Sequence, residues 1–458
     1  MTEPRHAEIR RFRIRKGLDI PLAGKPEQVI EPARSVGSVA LVGLDYIGLK
    51  PRMAVQPGDR VRLGDPLFSD KQTPGVTYTA PGAGVVRDVN RGLRRVLQSV
   101  VIDLDGDDAV DFGSVAAGDL EALDGAAVEE KLLAAGLWPA LRTRPFSKVP
   151  APGTRPHAIF VKATDTHPLA PDAEVVVADA AEDFAAGLRL LARLTEGAVY
   201  VCTGPDSRIP VPDGEPFVRA EFSGPHPAGL PGTHIHFLDP VSENRTVWTI
   251  GSQDVIAFAR LFATGRLPIE RIISIAGPMV RRPRLLRTRA GASTEDLIAG
   301  ELDDDTDTRV ISGSVLGGRR ASDWAAWLGR YHNQLTALPE GREREFLGWA
   351  LPGSKKFSGI RAYAGPVLQK GGFRLTTSQN GSPRAMVPIG NFERVMPLDI
   401  LPAPLLKALV VGDTEAARKL GCLELDEDDV ALFSFVCSGK YDYGPALREN
   451  LTDIEKNG

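Results

Sequence analysis

Residues 53–89 read MAVQPGDRVRLGDPLFSDKQTPGVTYTAPGAGVVRDV. Strand-length apolar runs alternate with turn clusters at Pro57-Gly58-Asp59, Gly64-Asp65-Pro66 and Pro81-Gly82-Ala83-Gly84. Gly supplies positive φ and Pro presets a turn, so this punctuation separates strands that are too short for helices. Extended from about Val39 to Ile102, the pattern predicts a small all-β sandwich. The remaining chain then has to be read as what such a module is joined to.

At 458 residues the chain is long enough for several domains, each able to bury a core. Beyond the sandwich, AAVEEKLLAAGL predicts a helix ending near Gly136. The period then switches repeatedly: HAIFVKA and EVVVADA read as buried strands, EDFAAGLRLLARL as an amphipathic helix stopped by Gly197, and AVYVCTG as another strand. Such alternation predicts a parallel, Rossmann-like α/β layer, closed by a helix over SQDVIAFARLFATG with Ser252 as N-cap and Gly265 as stop. RIISIAG and the following strand lead to a helix opened by Ser293 or Thr294, as in a β-grasp fold. Trp-containing helix patterns and loops follow, with helices toward the end. The expected class is a multi-domain α+β protein: residues 1–110 an N-terminal extension and barrel-sandwich, 111–265 the Rossmann-like layer, 266–335 a β-grasp (SLBB-like) domain, and 336–458 a mainly helical C-terminal region.

The 55 Lys and Arg against 59 Asp and Glu leave a net charge of −4, which argues against nucleic acid as a partner. Cys202, Cys422 and Cys437 are far apart, so neither a disulfide framework nor a four-thiolate cluster is expected. The basic N-terminus has no apolar segment behind it and export is not expected; no apolar run is long enough to span a bilayer.

The chemical candidates are few. His234-x-His236, read as a strand, would put two imidazoles on one face, with His226 upstream and Asp239 and Glu243 downstream. Pro225, Pro227 and Pro231 describe a structured turn, so hydrogen-bonded histidines are expected and a metal is not. Dinucleotide, P-loop and nucleophile-elbow motifs are missing; the glycine run nearest to one, GSVLGGRR at Gly313, lacks the lysine. Arg281, Arg282, Arg284, Arg287 and Arg289 read as the solvated face of a strand edge, with Glu301–Asp307 as a possible counter-surface and partner contact as the alternative.

Two resemblances add to these readings. V-x-P-G-D-x-V-x-x-G-x-P-L followed by A-P-x-x-G-x-V resembles the biotinyl/lipoyl barrel-sandwich module. Its hairpin here offers only Lys71 in SDKQTPG, outside the context of a modified lysine, so a docking domain is expected. More extensively, RIRKGLDIPLAGKPEQVI (13–30), NRGLRRVLQSVVI (90–102), GLWPALRTRPFSKVPA (136–151), GPHPAGLPGTHIHFL (224–238), MVPIGNFERVMPLDI (386–400) and FVCSGKYDYG (435–444) resemble the A-subunit of the Na+-translocating NADH:quinone reductase, the NQR complex. The likeness runs along nearly the whole chain. The sequence departs mainly in an extension before Phe12 and in the arginine-rich Arg281–Arg289.

What the resemblance implies is a peripheral subunit on the cytoplasmic side of the bacterial inner membrane, within a six-subunit complex that passes electrons from NADH to ubiquinone and exports Na+. It would be associated with the ubiquinone-reducing end and dock on the membrane-embedded B-subunit, with flavins and iron centres carried by partners and no covalent cofactor of its own. The alternative is an assembly subunit that binds no quinone. The architecture also resembles the flavin-bearing subunits of complex I and its Rnf-type relatives. Their G-x-G-G-A-G-F-P loop corresponds to LRTRPFSKVP, where side chains would fill the phosphate space; their Y-P-x-G corresponds to His226-Pro227-Ala228-Gly229, and their cluster cysteines reduce to Cys437. No catalytic, cofactor-binding or metal-ligating residue is expected. Arg142, Arg144, Phe146 and Lys148, with His226, His234 and His236, are the candidates for lining a quinone pocket or for plugging the emptied cofactor site.

Overall fold

The computed structural model describes residues 9–303, 307–343, 346–348, 351–359, 362–369 and 371–457. Residues 1–8 of the N-terminal extension, 304–306 within Glu301–Asp307, and Trp349 lie outside the described residues.

The sandwich predicted from residues 53–89 consists of a four-stranded sheet, in the order Ser38–Val42, Leu97–Leu104, Gly84–Arg91, Arg60–Val61, and a three-stranded sheet, Pro51–Met53, Pro66–Asp70, Thr77–Thr79. Its inward residues include Leu67, Phe68, Tyr78 and Ile102, and their cluster runs without a break into the α/β layer through Trp138, Ile159 and Trp248. Trp138 and Trp248 meet edge to face at 5.4 Å, and the Trp138 indole donates to the Pro150 carbonyl at 2.8 Å.

The second sheet has the order Arg10–Arg13, Phe217–Ser223, Val199–Thr203, Ile159–Ala163, Val247–Gly251, Arg142–Arg144. The first five strands are parallel and the last is antiparallel. Helices Ala181–Leu191 and Ser252–Thr264 pack on one face, where Gly187 lets the Val255 carbonyl approach closer than any side chain would allow. The third sheet, Arg319–Arg320, Thr308–Ser312, Gln334–Pro339, Glu270–Ala276, Arg284–Arg289, Glu27–Pro32, is the β-grasp unit, with Ser293 capping the short helix Thr294–Ile298. Helices Pro402–Val411, Thr414–Lys419, Glu427–Val436 and Tyr443–Asn457 close around Leu405, Leu409, Phe433, Leu447 and Leu451.

The residues before Ser38 join neither sandwich sheet. Arg10–Arg13 adds a strand to the α/β sheet, Ile20 inserts into the C-terminal helical core, and Glu27–Pro32 completes the β-grasp sheet. One short segment thus stitches three units together.

Four expectations are corrected. Residues 174–180, read as a strand because of three successive valines, contain the helix Ala173–Ala178, opened by the Asp172 side chain accepting from the Glu174 amide. The His234-x-His236 stretch is the helix Pro231–Leu238, not a strand; Pro231 at its first position is pre-organised for a helix. The cap of Ser252–Thr264 is Gly251, one residue earlier than expected, while Gly265 ends the helix at φ +69°. The Trp-containing helix pattern expected of the final 120 or so residues falls on Trp349, outside the described residues; Trp324 lies within a 3-10 turn, Asp323–Ala325, of the β-grasp unit. Finally, Arg284–Arg289 is not an edge strand. It lies between Glu270–Ala276 and Glu27–Pro32, and two of its cations are taken by carboxylates of the chain, Arg284 by Glu31 and Glu301 and Arg287 by Glu270 and Asp179, while Arg289 donates to the Pro81 carbonyl.

Candidate functional site

The Arg-rich loop forms a tight turn whose two ends are tied, the Thr143 amide donating to the Lys148 carbonyl at 2.7 Å. Phe146 and Ser147 take φ of +77° and +55°, a conformation that favours glycine. At both positions the backbone thus takes a conformation that is costly for a residue with a side chain. Arg448 offsets part of that cost by donating to the Phe146 carbonyl at 2.8 Å.

What the loop reaches is the N-terminus of helix Glu427–Val436. Asp426 caps that helix in a capping box with Asp429. Arg144, 3% exposed, donates to Asp426 and Asp429 at 3.0 Å each, to the Glu424 carbonyl at 2.9 Å and to Ser147 Oγ at 3.1 Å. Ser147 Oγ donates to Asp426 at 2.6 Å, Arg142 adds a bond to Asp426 at 2.9 Å, and Arg448 forks onto Glu427. Burial disfavours the Asp426 charge, yet Arg142 and Arg144 hold its carboxyl well below the usual carboxylate range. Arg142 also lies over the Tyr331 ring, 4.9 Å from its centroid, and Lys148 pairs with Glu455 at 2.5 Å. Phe146 is half-buried against the helical core. All four loop candidates thus face the C-terminal helices, and each cation among them is matched there.

The three histidines do not converge. His226 is fully buried; its Nδ1 meets Thr166 Oγ1 at 3.1 Å, while its Nε2 has no hydrogen-bond partner among the described residues. His234 is buried against Phe222, ring centroids 4.3 Å apart, and donates from Nε2 to the Ala228 carbonyl at 3.0 Å. Burial lowers both, His226 well below its ordinary value and His234 to about 3, so both rings are neutral at pH 7. Two residues on along the helix, His236 points the other way. Its Nε2 accepts from the Asp399 amide at 3.0 Å, which leaves the proton on Nδ1 for Glu424 at 2.7 Å. Among the described residues no group of three or more His, Cys, Asp or Glu is arranged to hold a metal ion.

Sequence reasoning missed the acidic half of this arrangement, Asp426 and Asp429. The run LDEDDV carried a signal, since acidic residues before an apolar run mark a helix N-terminus. It also missed Asp165 and His167, which follow the central strand directly.

Barrel-sandwich, parallel α/β layer and β-grasp sheet in this order define a multi-module scaffold with the loop of its α/β layer closed by side chains. Three stretches match described families: residues 12–105 the NqrA N-terminal barrel-sandwich hybrid domain, 123–267 the NqrA second alpha/beta domain, and 272–323 the NQRA C-terminal domain. The chain is 56% identical over 447 residues to the A-subunit of the Na(+)-translocating NADH-quinone reductase of Cellvibrio japonicus, covering 98% of this chain and 100% of the relative. The same coverage holds for relatives of that name from Hahella chejuensis, at 55%, and Pseudomonas aeruginosa, at 56%. The chain belongs to the A-subunit family of the Na+-translocating NADH-quinone reductase. A looser likeness, at a TM-score of 0.39 and 12% identity over 93% of this chain and 84% of the other, is to an NAD+-reducing nickel–iron hydrogenase in the air-oxidized state.

Proposed function

We propose that this chain works as the peripheral A-subunit of a Na+-translocating NADH:ubiquinone reductase, associated with the ubiquinone-reducing end of its electron path. On this reading it docks onto the membrane-embedded B-subunit from the cytoplasmic side of the inner membrane, and flavins and iron centres belong to partner subunits. The observation that carries the proposal is identity of 56% over the full length of a relative so named. No described helix is long and apolar enough to cross a membrane, so membrane contact through partners is the arrangement proposed. The same proposal divides the chain into residues 1–110, 111–265, 266–335 and 336–458, with Arg10–Arg13 and Glu27–Pro32 lent to the second and third units and the strand Gln334–Pro339 crossing the last boundary.

A second reading, assembly without quinone contact, is favoured by the loop geometry. Arg142, Arg144 and Lys148 spend their donors on Asp426, Asp429 and Glu455. A quinone carbonyl would have to break those pairs to reach them. Photolabelling of the assembled complex with a reactive ubiquinone analogue separates the readings. Label on this chain that unlabelled ubiquinone competes away supports the quinone-end role; competable label confined to other subunits supports the assembly role.

A further inference from the structure

Between Glu345 and Glu393 the sequence has six Lys or Arg and no Asp or Glu. Seven of the sixteen large apolar side chains exposed among the described residues lie in the same interval, Val367 at 85% and Leu368 at 65% among them. A soluble surface mixes both signs of charge and shows its apolar side chains singly, so the interval departs from it on both counts.

An acid-free run decides little alone. The interval between Glu130 and Asp165 also carries six Lys or Arg, yet Arg142, Arg144, Lys148, Arg155 and Lys162 all pair with carboxylates brought to them by the fold. Lys355, Arg374 and Arg384 find no carboxylate among the described residues; Arg374 reaches only Met279 Sδ, at 2.9 Å.

The interval lies as two loops over the C-terminal end of helix Glu427–Val436. In the first, the Ala364 amide donates to the Pro352 carbonyl at 2.9 Å, Phe357 stacks on Phe435 at 6.4 Å, and Gly359 lies against Val436. In the second, the Arg384 amide donates to the Gly439 carbonyl at 3.0 Å, and Gly381 approaches Lys440. Asp442, next along the chain, accepts from the Gly444 amide at 3.3 Å. One end of the helical bundle thus presents Lys355, Val367 and Leu368 from one loop and Arg384, Val387 and Ile389 from the other, all exposed.

A partner has to meet cations and apolar side chains together. An acidic peptide would answer Lys355 and Arg384 and leave Val367 and Leu368 in water. A side chain lining a groove for a folded partner is screened by the groove walls, whereas Val367 stands clear of the surface. An anionic bilayer meets both demands: its phosphates attract cations and repel carboxylates, and its acyl boundary takes up projecting apolar side chains.

We propose that these two loops rest directly on an anionic phospholipid surface, with Val367, Leu368, Val387 and Ile389 entering the acyl boundary and Lys355 and Arg384 meeting headgroup phosphates. This contact is additional to docking on a membrane-embedded partner, and it is tested on the full chain alone, so its failure leaves that docking standing. Flotation of the full chain with vesicles of phosphatidylglycerol and phosphatidylcholine reads it. Binding is expected, weaker by about tenfold or more on phosphatidylcholine alone, by about fivefold in Lys355→Gln, and by about tenfold or more in Val367→Glu with Leu368→Glu, each variant at the parent's unfolding temperature. Arg94→Gln with Arg95→Gln, at the exposed tip of the sandwich hairpin, should bind as the parent does. The proposal is overturned by equal binding to the two kinds of vesicle, by unchanged binding in the double Glu variant, or by an equal loss in the hairpin variant. Capture of the chain by polyglutamate without binding to vesicles overturns it too, and assigns the loops to an acidic protein partner.

Discussion

Arg144 and Asp426 are 282 residues apart in sequence and 3.0 Å apart in space, with side chains only 4% and 5% exposed. Burying two charges costs more than one contact returns, so such a pair persists only when its other lone pairs and protons are also met. Here Ser147, Asp429, Glu424 and Arg142 meet them. The pair makes the Arg142–Lys148 loop a fastener between the α/β layer and the C-terminal helices.

Arg144→Met should therefore lower the free energy of unfolding by about 3–5 kcal/mol, because Asp426 and Asp429 remain buried with reduced compensation. Adding Asp426→Leu and Asp429→Leu to that variant should restore much of the loss. Urea denaturation of the three chains reads both effects. A cost below about 1 kcal/mol for the single change would place the pair among ordinary surface contacts.

The pH dependence of the fastener has a definite sign. Burial, opposed by Arg144 and helped by the neighbouring Asp426 charge, pushes the Asp429 carboxyl from 3.8 up to about 6. The folded state thus holds a proton that the unfolded chain has released, and the stability it brings, full below 3.8, is lost as pH rises through about 6. Relative to Asp429→Asn, the parent should lose stability between these pH values. A flat difference curve in denaturation across that window, or a rising one, contradicts the assignment.

Buried histidines act in the opposite direction. Burial lowers His234 to about 3 and His332 to about 4, from 6.5. Below 6.5 the unfolded chain takes up protons that the folded one refuses, so stability falls with acidity from 6.5 down to about 4, by up to about 1.4 kcal/mol per pH unit for each ring. His234→Leu should reduce that slope by one such increment; an unchanged slope would mean that the ring is charged in the folded chain.

Gly232 stands in the histidine helix where a Cβ would overlap the Asp429 carboxylate. Gly232→Ala should displace Asp429 from its capping box and lower stability by about 1–3 kcal/mol. In an Asp429→Ala background the cost should shrink, and thermal unfolding of the double-mutant cycle measures the difference. Strict additivity would separate the two residues.

Local chemistry was legible where it decides structure alone. The Gly and Pro clusters of residues 53–89 marked the sandwich turns, and Gly265 marked its helix end, because positive φ is a local demand. EVVVADA and THIHF misled for a shared reason: β-branched runs and alternation look extended, while a capping Asp172 and an N1 proline decide otherwise. Long-range pairing was invisible. Nothing in RRFR announces its register with Ala220–Ser223, and nothing in LRTRPFSKVP names Asp426 as its partner. Those choices are made by the assembled sheet and bundle, which bring charges far apart in sequence within reach of one another.

The claim that the Arg142–Lys148 loop fastens domains, and does not grip quinone, is tested most directly by quinone kinetics of the assembled reductase carrying Arg142→Gln. The change removes the Asp426 pair and the Tyr331 contact at a side chain 24% exposed. The account predicts an unchanged KM for a short-chain ubiquinone together with a lowered unfolding temperature of this polypeptide. A KM raised by about tenfold, with the unfolding temperature unchanged, would contradict it.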